Sequence, residues 1–202
     1  MEKRKIGFKT AILAALVGWM SPYVIEKAGD ELARAKSLQS PVEVRERINS
    51  NSRQGESYAV LVNGFGAFSG RSESYLGSDA NQALDTAYKV LKEKGYDDEH
   101  IVILSDTVPK GRGIDKGITA RATAENTRNV LESLAKSTQD GSLLIQFGGH
   151  SDAQGNFYFT SDQSEISPGT VANILKPNTG KKILIFNSCY SGKWAKTLSE
   201  LQ

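Results

Sequence analysis

Four short apolar runs constrain the fold of this 202-residue chain more than any other feature. They lie at residues 58–62 (YAVLV), 101–104 (IVIL), 143–147 (LLIQF) and 182–186 (KILIF). Each is followed within two residues by glycine or a polar side chain. Short runs of this kind, without strict alternation, are typical of strands buried on both faces of a parallel sheet.

The segments between these runs have helical patterns. Asp79 is predicted to cap a helix that carries an apolar stripe on one face. Thr123 is predicted to cap a second helix, and Ser167 a third with Pro168 at its first position. Residues 107–122 are predicted to form a long loop. Alternating strands and helices predict an α/β domain with a mainly parallel sheet covered on both faces.

The first 55 residues differ from the rest of the chain. A basic opening (EKRK) precedes an apolar run at 11–20, which is the order of a secretory signal. Residues 1–25 are therefore interpreted as a signal or membrane-anchor segment, with an ordinary helix as the alternative. Residues 26–55 are interpreted as a charged helical spacer and linker, and residues 56–202 as the folded domain. This organisation predicts a secreted or membrane-anchored protein, with a cytoplasmic protein as the alternative.

Composition excludes several classes of site. The chain has 25 Lys and Arg against 23 Asp and Glu, so a net charge of +2 argues against nucleic-acid binding. One cysteine excludes an intrachain disulfide and paired-cysteine zinc sites, and two histidines exclude metal sites built from several imidazoles. Residues 64–70 (GFGAFSG) nearly match a dinucleotide fingerprint, but the third glycine is one place late. Neither a metal nor an organic cofactor is expected.

Two strand ends carry residues suited to nucleophilic chemistry. His150 follows the third apolar run, and Cys189 follows the fourth. Ligand chemistry in parallel sheets lies just beyond the carboxyl ends of the strands. A cysteine thiolate is a nucleophile, and a nearby imidazole can take and return its proton. The alternative for each residue alone is a purely structural role, since a single cysteine is usually a small buried hydrophobe.

These two blocks resemble the His and Cys motifs of caspase-like cysteine peptidases. Residues 147–150 (FGGH) and 185–192 (IFNSCYSG) resemble those of the legumain family in particular, with metacaspases as the neighbouring alternative. The resemblance continues in order through residues 58–62 and 95–102. It implies a caspase-like three-layer sandwich, apparently short at its C-terminus because related domains continue into further strands.

The resemblance also implies roles for individual residues. His150 would be the general base and acid, and Cys189 would form a thioester with the substrate. Backbone amides near Ser151 and Cys189 would form the oxyanion hole. Asn187 stands where the family has an acid that lines the substrate pocket. Arg71 is a second candidate for substrate binding, with an exposed loop arginine as the alternative.

The expected partners are a polypeptide substrate and a second chain or dimer partner that completes the sheet. The runner-up interpretation is a catalytically silent homologue that acts as a binding or assembly subunit. Ser151, which replaces the family's glycine, and the short C-terminus favour that alternative, and the intact His150 and Cys189 oppose it.

Overall fold

A five-stranded sheet, in which every neighbouring pair of strands is parallel, forms the centre of the domain. The computed structural model describes residues 38–65, 73–106 and 117–199, with the backbone alone over 73–81. The strands are β1 (Tyr58–Asn63), β2 (Ile101–Leu104), β3 (Ile118–Ala120), β4 (Leu143–Gly148), β5 (His150–Ser151), β6 (Phe157–Tyr158), β7 (Glu165–Ile166) and β8 (Lys182–Asn187). The helices are α1 (Pro41–Asn51), α2 (Glu73–Glu93), α3 (Ala124–Ser137), α4 (Pro168–Leu175) and α5 (Ser191–Leu198). The central sheet has the order β3-β2-β1-β4-β8, and β5, β6 and β7 form a small antiparallel sheet.

Helices cover both faces of the central sheet. One face, with Val60 and Ile145, packs against α1, α3, α4 and α5 in the larger of two apolar clusters. The opposite face, with Leu61 and Ile103, packs against α2. The α/β class and the mainly parallel sheet predicted from the sequence are therefore confirmed, and the layers form a three-layer sandwich.

Two of the three predicted helix caps are confirmed, whereas Asp79 lies inside α2 rather than at its start. The Thr123 hydroxyl accepts a hydrogen bond from the Asn126 amide at 3.0 Å, at the start of α3. The Ser167 hydroxyl accepts one from the Thr170 amide at 3.1 Å, at the start of α4. Each cap satisfies an amide that has no carbonyl partner within its helix.

Two elements differ from the sequence prediction. Helix α2 begins at Glu73 rather than after Asp79. Strand β3 lies inside the segment predicted to be a loop over 107–122. Its three residues are too few for a recognisable strand pattern, and pairing with β2 makes them a strand. The rest of that loop, residues 107–116, lies outside the described residues.

Helix α1 belongs to the packed domain. Its N-cap Ser40 forms a capping box with Glu43, and its Val44 and Ile48 side chains are buried in the larger cluster. The compact unit that contains the sheet begins at Leu38, so part of the segment interpreted as a spacer contributes to the core. The segment predicted to be a signal or anchor lies outside the described residues. Among the described helices, none combines the length and apolarity that crossing a membrane requires.

Candidate active site

His150 and Cys189 follow two strands that are direct neighbours in the sheet. Strands β4 and β8 pair in parallel, with Gly148 opposite Asn187 at their carboxyl ends. His150 lies two residues beyond Gly148, and Cys189 lies two residues beyond Asn187. Neighbouring strands are about 4.8 Å apart, so matched positions beyond them share one small region of the sheet edge. Both side chains belong to exposed residues, which leaves them accessible to a ligand.

Two hydrogen bonds link the segments that carry this pair. The Gly149 amide donates to the Asn187 carbonyl at 3.2 Å, which extends the pairing of β4 and β8 by one step. The Ser151 hydroxyl donates to the Ser188 hydroxyl oxygen at 2.9 Å. Each bond joins a neighbour of His150 to a residue one or two positions before Cys189. The relative position of the two segments is therefore held beyond the end of the sheet itself.

The end of β1 supplies a third side of the site. The Asn63 side chain is buried, and its Oδ1 accepts a hydrogen bond from the Phe65 amide at 3.0 Å. The Phe65 ring meets the His150 imidazole edge to face, with ring centroids 4.8 Å apart. Asn63 also donates to the Ser105 hydroxyl at 3.4 Å, which ties the ends of β1 and β2 together. The His150 imidazole thus contacts the Phe65 ring, and the buried Asn63 side chain holds the backbone of Phe65 in place.

The backbone is strained immediately after the cysteine. Tyr190 has φ 53° and ψ 24°, in the left-handed region that is unusual for a bulky residue. It occupies the N-cap position of α5, and its side chain makes no capping hydrogen bond. Strained residues cost about 1–3 kcal/mol and are found preferentially at functional sites. The left-handed conformation of Tyr190 forms the sharp turn from β8 into α5, and Cys189 lies directly before that turn.

The other predicted site residues have distinct positions. Ser151 is half-buried and engaged with Ser188, and Asn187 is exposed at the end of β8. Arg71 lies outside the part of the chain that the structure describes. The candidate site therefore brings together His150, Ser151, Asn187 and Cys189.

The carboxylate nearest His150 in sequence serves the local turn. Asp152 accepts hydrogen bonds from the Asn156 amide at 2.8 Å, the Gln154 amide at 2.9 Å and the Asn156 side chain at 2.9 Å. Desolvation opposes ionisation, but these hydrogen bonds outweigh it and lower the pKa of Asp152 below its usual value. The ionised carboxylate thus stabilises the turn between β5 and β6.

The second histidine lies at the amino-terminal ends of the strands, opposite to the candidate site. His100 precedes β2, its Nε2 is 3.3 Å from a Glu56 carboxylate oxygen, and its ring packs edge-on against Tyr58. It is thus tied to the start of the sheet, whereas His150 lies beyond the strand ends. Among the described residues, no three His, Cys, Asp or Glu side chains are grouped to hold a metal ion.

Sequence reasoning missed Asn63, Phe65, Ser188 and Tyr190 as parts of the site. The role of Asn63 could have been predicted, because an asparagine side chain at the start of a turn often accepts a hydrogen bond from the backbone amide two residues later. The roles of the other three could not have been predicted, because they depend on which strands are neighbours and on how the chain turns after β8.

Asp106 is a buried carboxylate two residues beyond β2, at the carboxyl ends of the strands where His150 and Cys189 also lie. Its side chain is 8% exposed, and its Oδ1 is 3.3 Å from the Arg121 Nε. Its Oδ2 has no hydrogen-bond partner within the described residues. Burial raises the pKa of Asp106 above its usual value, and Ser161 and Arg121 offset only part of that effect.

We therefore expect Asp106→Asn to raise the melting temperature relative to the wild type by more at pH 7 than at pH 4. A carboxyl group with a raised folded-state pKa contributes stability that is full below its unfolded pKa, about 3.9. That contribution is lost as the pH rises through the folded pKa, and an amide loses nothing over the same interval. Scanning fluorimetry at both pH values measures the difference. Glu46→Gln, at an exposed carboxylate on α1, is the control, and its melting-temperature difference from the wild type should be the same at both pH values. A wild-type advantage that grows toward neutral pH would contradict the expectation.

The chain matches no protein-family model and no curated protein sequence.

Proposed function

We propose that this chain is a cysteine-type endopeptidase with a caspase-like fold, and that His150 and Cys189 are its catalytic dyad. The observation that carries the proposal is the pairing of β4 with β8, which puts these residues at matched positions beyond neighbouring strands. The only cysteine of the chain is exposed there. The resemblance of residues 147–150 and 185–192 to the legumain family's motifs supports the same assignment.

In the proposed reaction Cys189 is the nucleophile, and His150 is first the general base and then the general acid. The Cys189 thiol gives its proton to His150, and the sulfur attacks the carbonyl carbon of the scissile peptide bond. The tetrahedral intermediate collapses as the C–N bond breaks, and the protonated imidazole returns the proton to the leaving amine. A thioester on Cys189 remains, and water hydrolyses it to release the acid and restore the thiol.

The oxyanion would be stabilised by backbone amides near Ser151 and Cys189. Preorganised amide donors are worth about 10²–10³ in rate in other hydrolases. The Ser151–Ser188 hydrogen bond supports this role, because it joins the two segments that would supply the donors. Asn187, exposed beside the dyad, is a candidate contact for the substrate. Its amide is uncharged, so it provides no ion pair for a cationic substrate residue.

Alkylation of Cys189 over a range of pH tests the dyad directly, because Cys189 is the only thiol. Iodoacetamide labelling is followed by mass spectrometry on the wild type, His150→Ala and the control His100→Ala. We expect fast wild-type labelling that persists well below the free-thiol pKa of about 8.5. His150→Ala should slow labelling near pH 6 by about tenfold or more, and His100→Ala should leave it unchanged. Peptide-library hydrolysis, abolished by Cys189→Ser, would then define the cleaved bond.

An ordinary thiol profile would overturn the proposal for this chain. The decisive result is wild-type labelling that is slow near pH 6 and equal in His150→Ala. Equal slowing by both histidine variants would also count against the dyad, because His100 lies at the other end of the sheet and would act only through stability.

A catalytically silent binding or assembly subunit is the second candidate. The observation that favours it is the exposed apolar face of β8, on which Ile183 and Ile185 are 40% and 45% exposed. An apolar strand beside the site offers a docking surface that does not depend on cysteine chemistry. This candidate predicts ordinary alkylation together with tight binding of a protein partner.

A further inference from the structure

A polar groove of about 230 Å³ lies between α1 and α3. Every side chain that lines it is polar, and no residue of the candidate active site takes part. The α3 residues follow the i, i+3, i+4, i+7, i+8 spacing, so they form one stripe along that helix. The lining consists of Arg45 and Asn49 from α1 and of Asn129, Glu132, Ser133, Lys136 and Ser137 from α3.

Most of the polar groups around this groove have no partner in the described part of the protein. The Ser137 hydroxyl is the exception, because it donates to the Ser133 carbonyl at 2.8 Å within the helix. Glu132 and Lys136 are four residues apart, in the order that favours a salt bridge on a helix, and they form none. The side chains that make no hydrogen bond or ion pair among the described residues are Arg45, Asn49, Asn129, Glu132 and Lys136.

An unsatisfied acceptor lies at the narrow end of the same groove. The cleft continues past Arg45 and Asn129 to Asn126, which is 7% exposed. The Asn126 Nδ2 donates to the Arg121 carbonyl at 2.9 Å, and its Oδ1 has no partner within the described residues. Buried acceptors without a partner are few in folded proteins, and an absent ligand is one recognised reason. This observation is independent of the charges and concerns the same groove.

We propose that the groove between α1 and α3 binds a free acidic α-amino acid, either glutamate or aspartate. Such a molecule has two carboxylates and one ammonium group. The groove offers Arg45 and Lys136 to the carboxylates and Glu132 to the ammonium group. Two cations and one carboxylate give the lining a net charge of +1, which complements the net charge of −1 on the ligand at neutral pH.

The shapes of the side chains assign one contact to each charge. The planar Arg45 guanidinium binds the α-carboxylate through two parallel hydrogen bonds. Glu132 accepts from the neighbouring α-ammonium group, and Lys136, a point charge on a flexible stem, binds the side-chain carboxylate. The amides of Asn49 and Asn129 donate to the remaining carboxylate oxygens.

The size of the groove agrees with a ligand of this class. Asn129 and Lys136 are seven residues apart, which is about 10 Å along the axis of α3. A volume of about 230 Å³ equals that of roughly seven or eight water molecules. The groove therefore has room for one amino acid and excludes a folded peptide.

This binding does not depend on the proposed peptidase chemistry. It uses side chains of α1 and α3 alone, so Cys189→Ser should bind the amino acid as the wild type does. Failure of the amino-acid site and failure of the dyad are therefore separate results.

Isothermal titration calorimetry on the full chain tests the proposal with L-glutamate and L-aspartate. We expect at least one of them to bind with a Kd of about 0.1–1 mM, as is usual for a ligand of this size. Glutarate lacks the ammonium group and L-glutamine lacks the second carboxylate, so each should bind at least about threefold more weakly than glutamate. The proposal would be overturned if neither acid bound, or if glutarate or glutamine bound as tightly as the acids.

Single charge changes test the assigned contacts. Glu132→Gln should weaken glutamate binding by about threefold to tenfold without weakening glutarate, because only glutamate carries the ammonium group. Lys136→Gln should lower the affinity for glutamate to that for glutamine. Arg128→Gln is the matched control, because Arg128 is exposed on α3 and does not line the groove. It should bind like the wild type, and thermal unfolding checks that each variant is folded. Equal weakening of glutamate and glutarate by Glu132→Gln, or weaker binding by Arg128→Gln, would contradict the proposal.

Discussion

Trp194→Ala is expected to lower the free energy of unfolding by about 3–5 kcal/mol, the usual cost of truncating a fully buried aromatic side chain. The Trp194 indole is stacked on Phe186, with ring centroids 4.2 Å apart, and packs against Phe147 at 5.3 Å. It is the one fully buried side chain of α5, so it attaches that helix to β4 and β8. Its removal leaves a cavity under the turn that carries Cys189.

Urea unfolding measures this effect as a lower midpoint with an unchanged m-value. Trp194→Phe is the matched variant, because it keeps an aromatic ring and removes an indole N–H that has no partner among the described residues. It should cost much less than Trp194→Ala. A loss below about 1 kcal/mol for Trp194→Ala would mean that α5 is not held by this contact.

Gly149→Ala is expected to destabilise the domain by about 1–3 kcal/mol and to slow the alkylation of Cys189. A Cβ atom at Gly149 would lie 2.6 Å from the Phe157 ring and 3.3 Å from the Gly64 Cα. Phe157 is fully buried and packs against Phe147, so its ring has little room to move. Relief must come from displacement of the segment that carries His150, which follows Gly149 directly.

Two further variants make this expectation specific. Gly192→Ala, where a Cβ meets nothing within 4 Å, should be neutral or stabilising by up to about 1 kcal/mol, because alanine favours helix. Phe157→Leu combined with Gly149→Ala should cost less than the sum of the two single changes, because the smaller side chain makes room. Strict additivity, or a Gly149→Ala protein as stable and as reactive as the wild type, would show that this contact does not position His150.

The chemistry-bearing residues could be located from the sequence because the rule involved is local. An apolar run followed by a polar or glycine-rich turn defines a strand end, and parallel strands bring their carboxyl ends to one edge. His150 and Cys189 each required only one such run before them. The helix caps at Thr123 and Ser167 depended on side chains within three residues, and both are confirmed.

Features that depend on the order of strands in the sheet could not be predicted from the sequence. The runs that became β1, β2, β4 and β8 have similar compositions, although β1 lies in the middle of the sheet and β8 at an edge. The composition of all four strands predicts burial on both faces, but Ile183 and Ile185 are substantially exposed. The position of a strand in the sheet is decided by contacts between residues far apart in the chain, and these leave no periodicity to read.

The sequence by itself determined the α/β class, the helix caps at Thr123 and Ser167, and the two strand ends that carry His150 and Cys189, because each of these depends on neighbouring residues. Only the tertiary structure decided that β4 and β8 are adjacent, that Phe65 meets His150, and that β8 is the last strand of the sheet in the described part of the chain. The physical reason is that strand pairing and packing are selected by the combined burial of many distant side chains. No local pattern contains that sum.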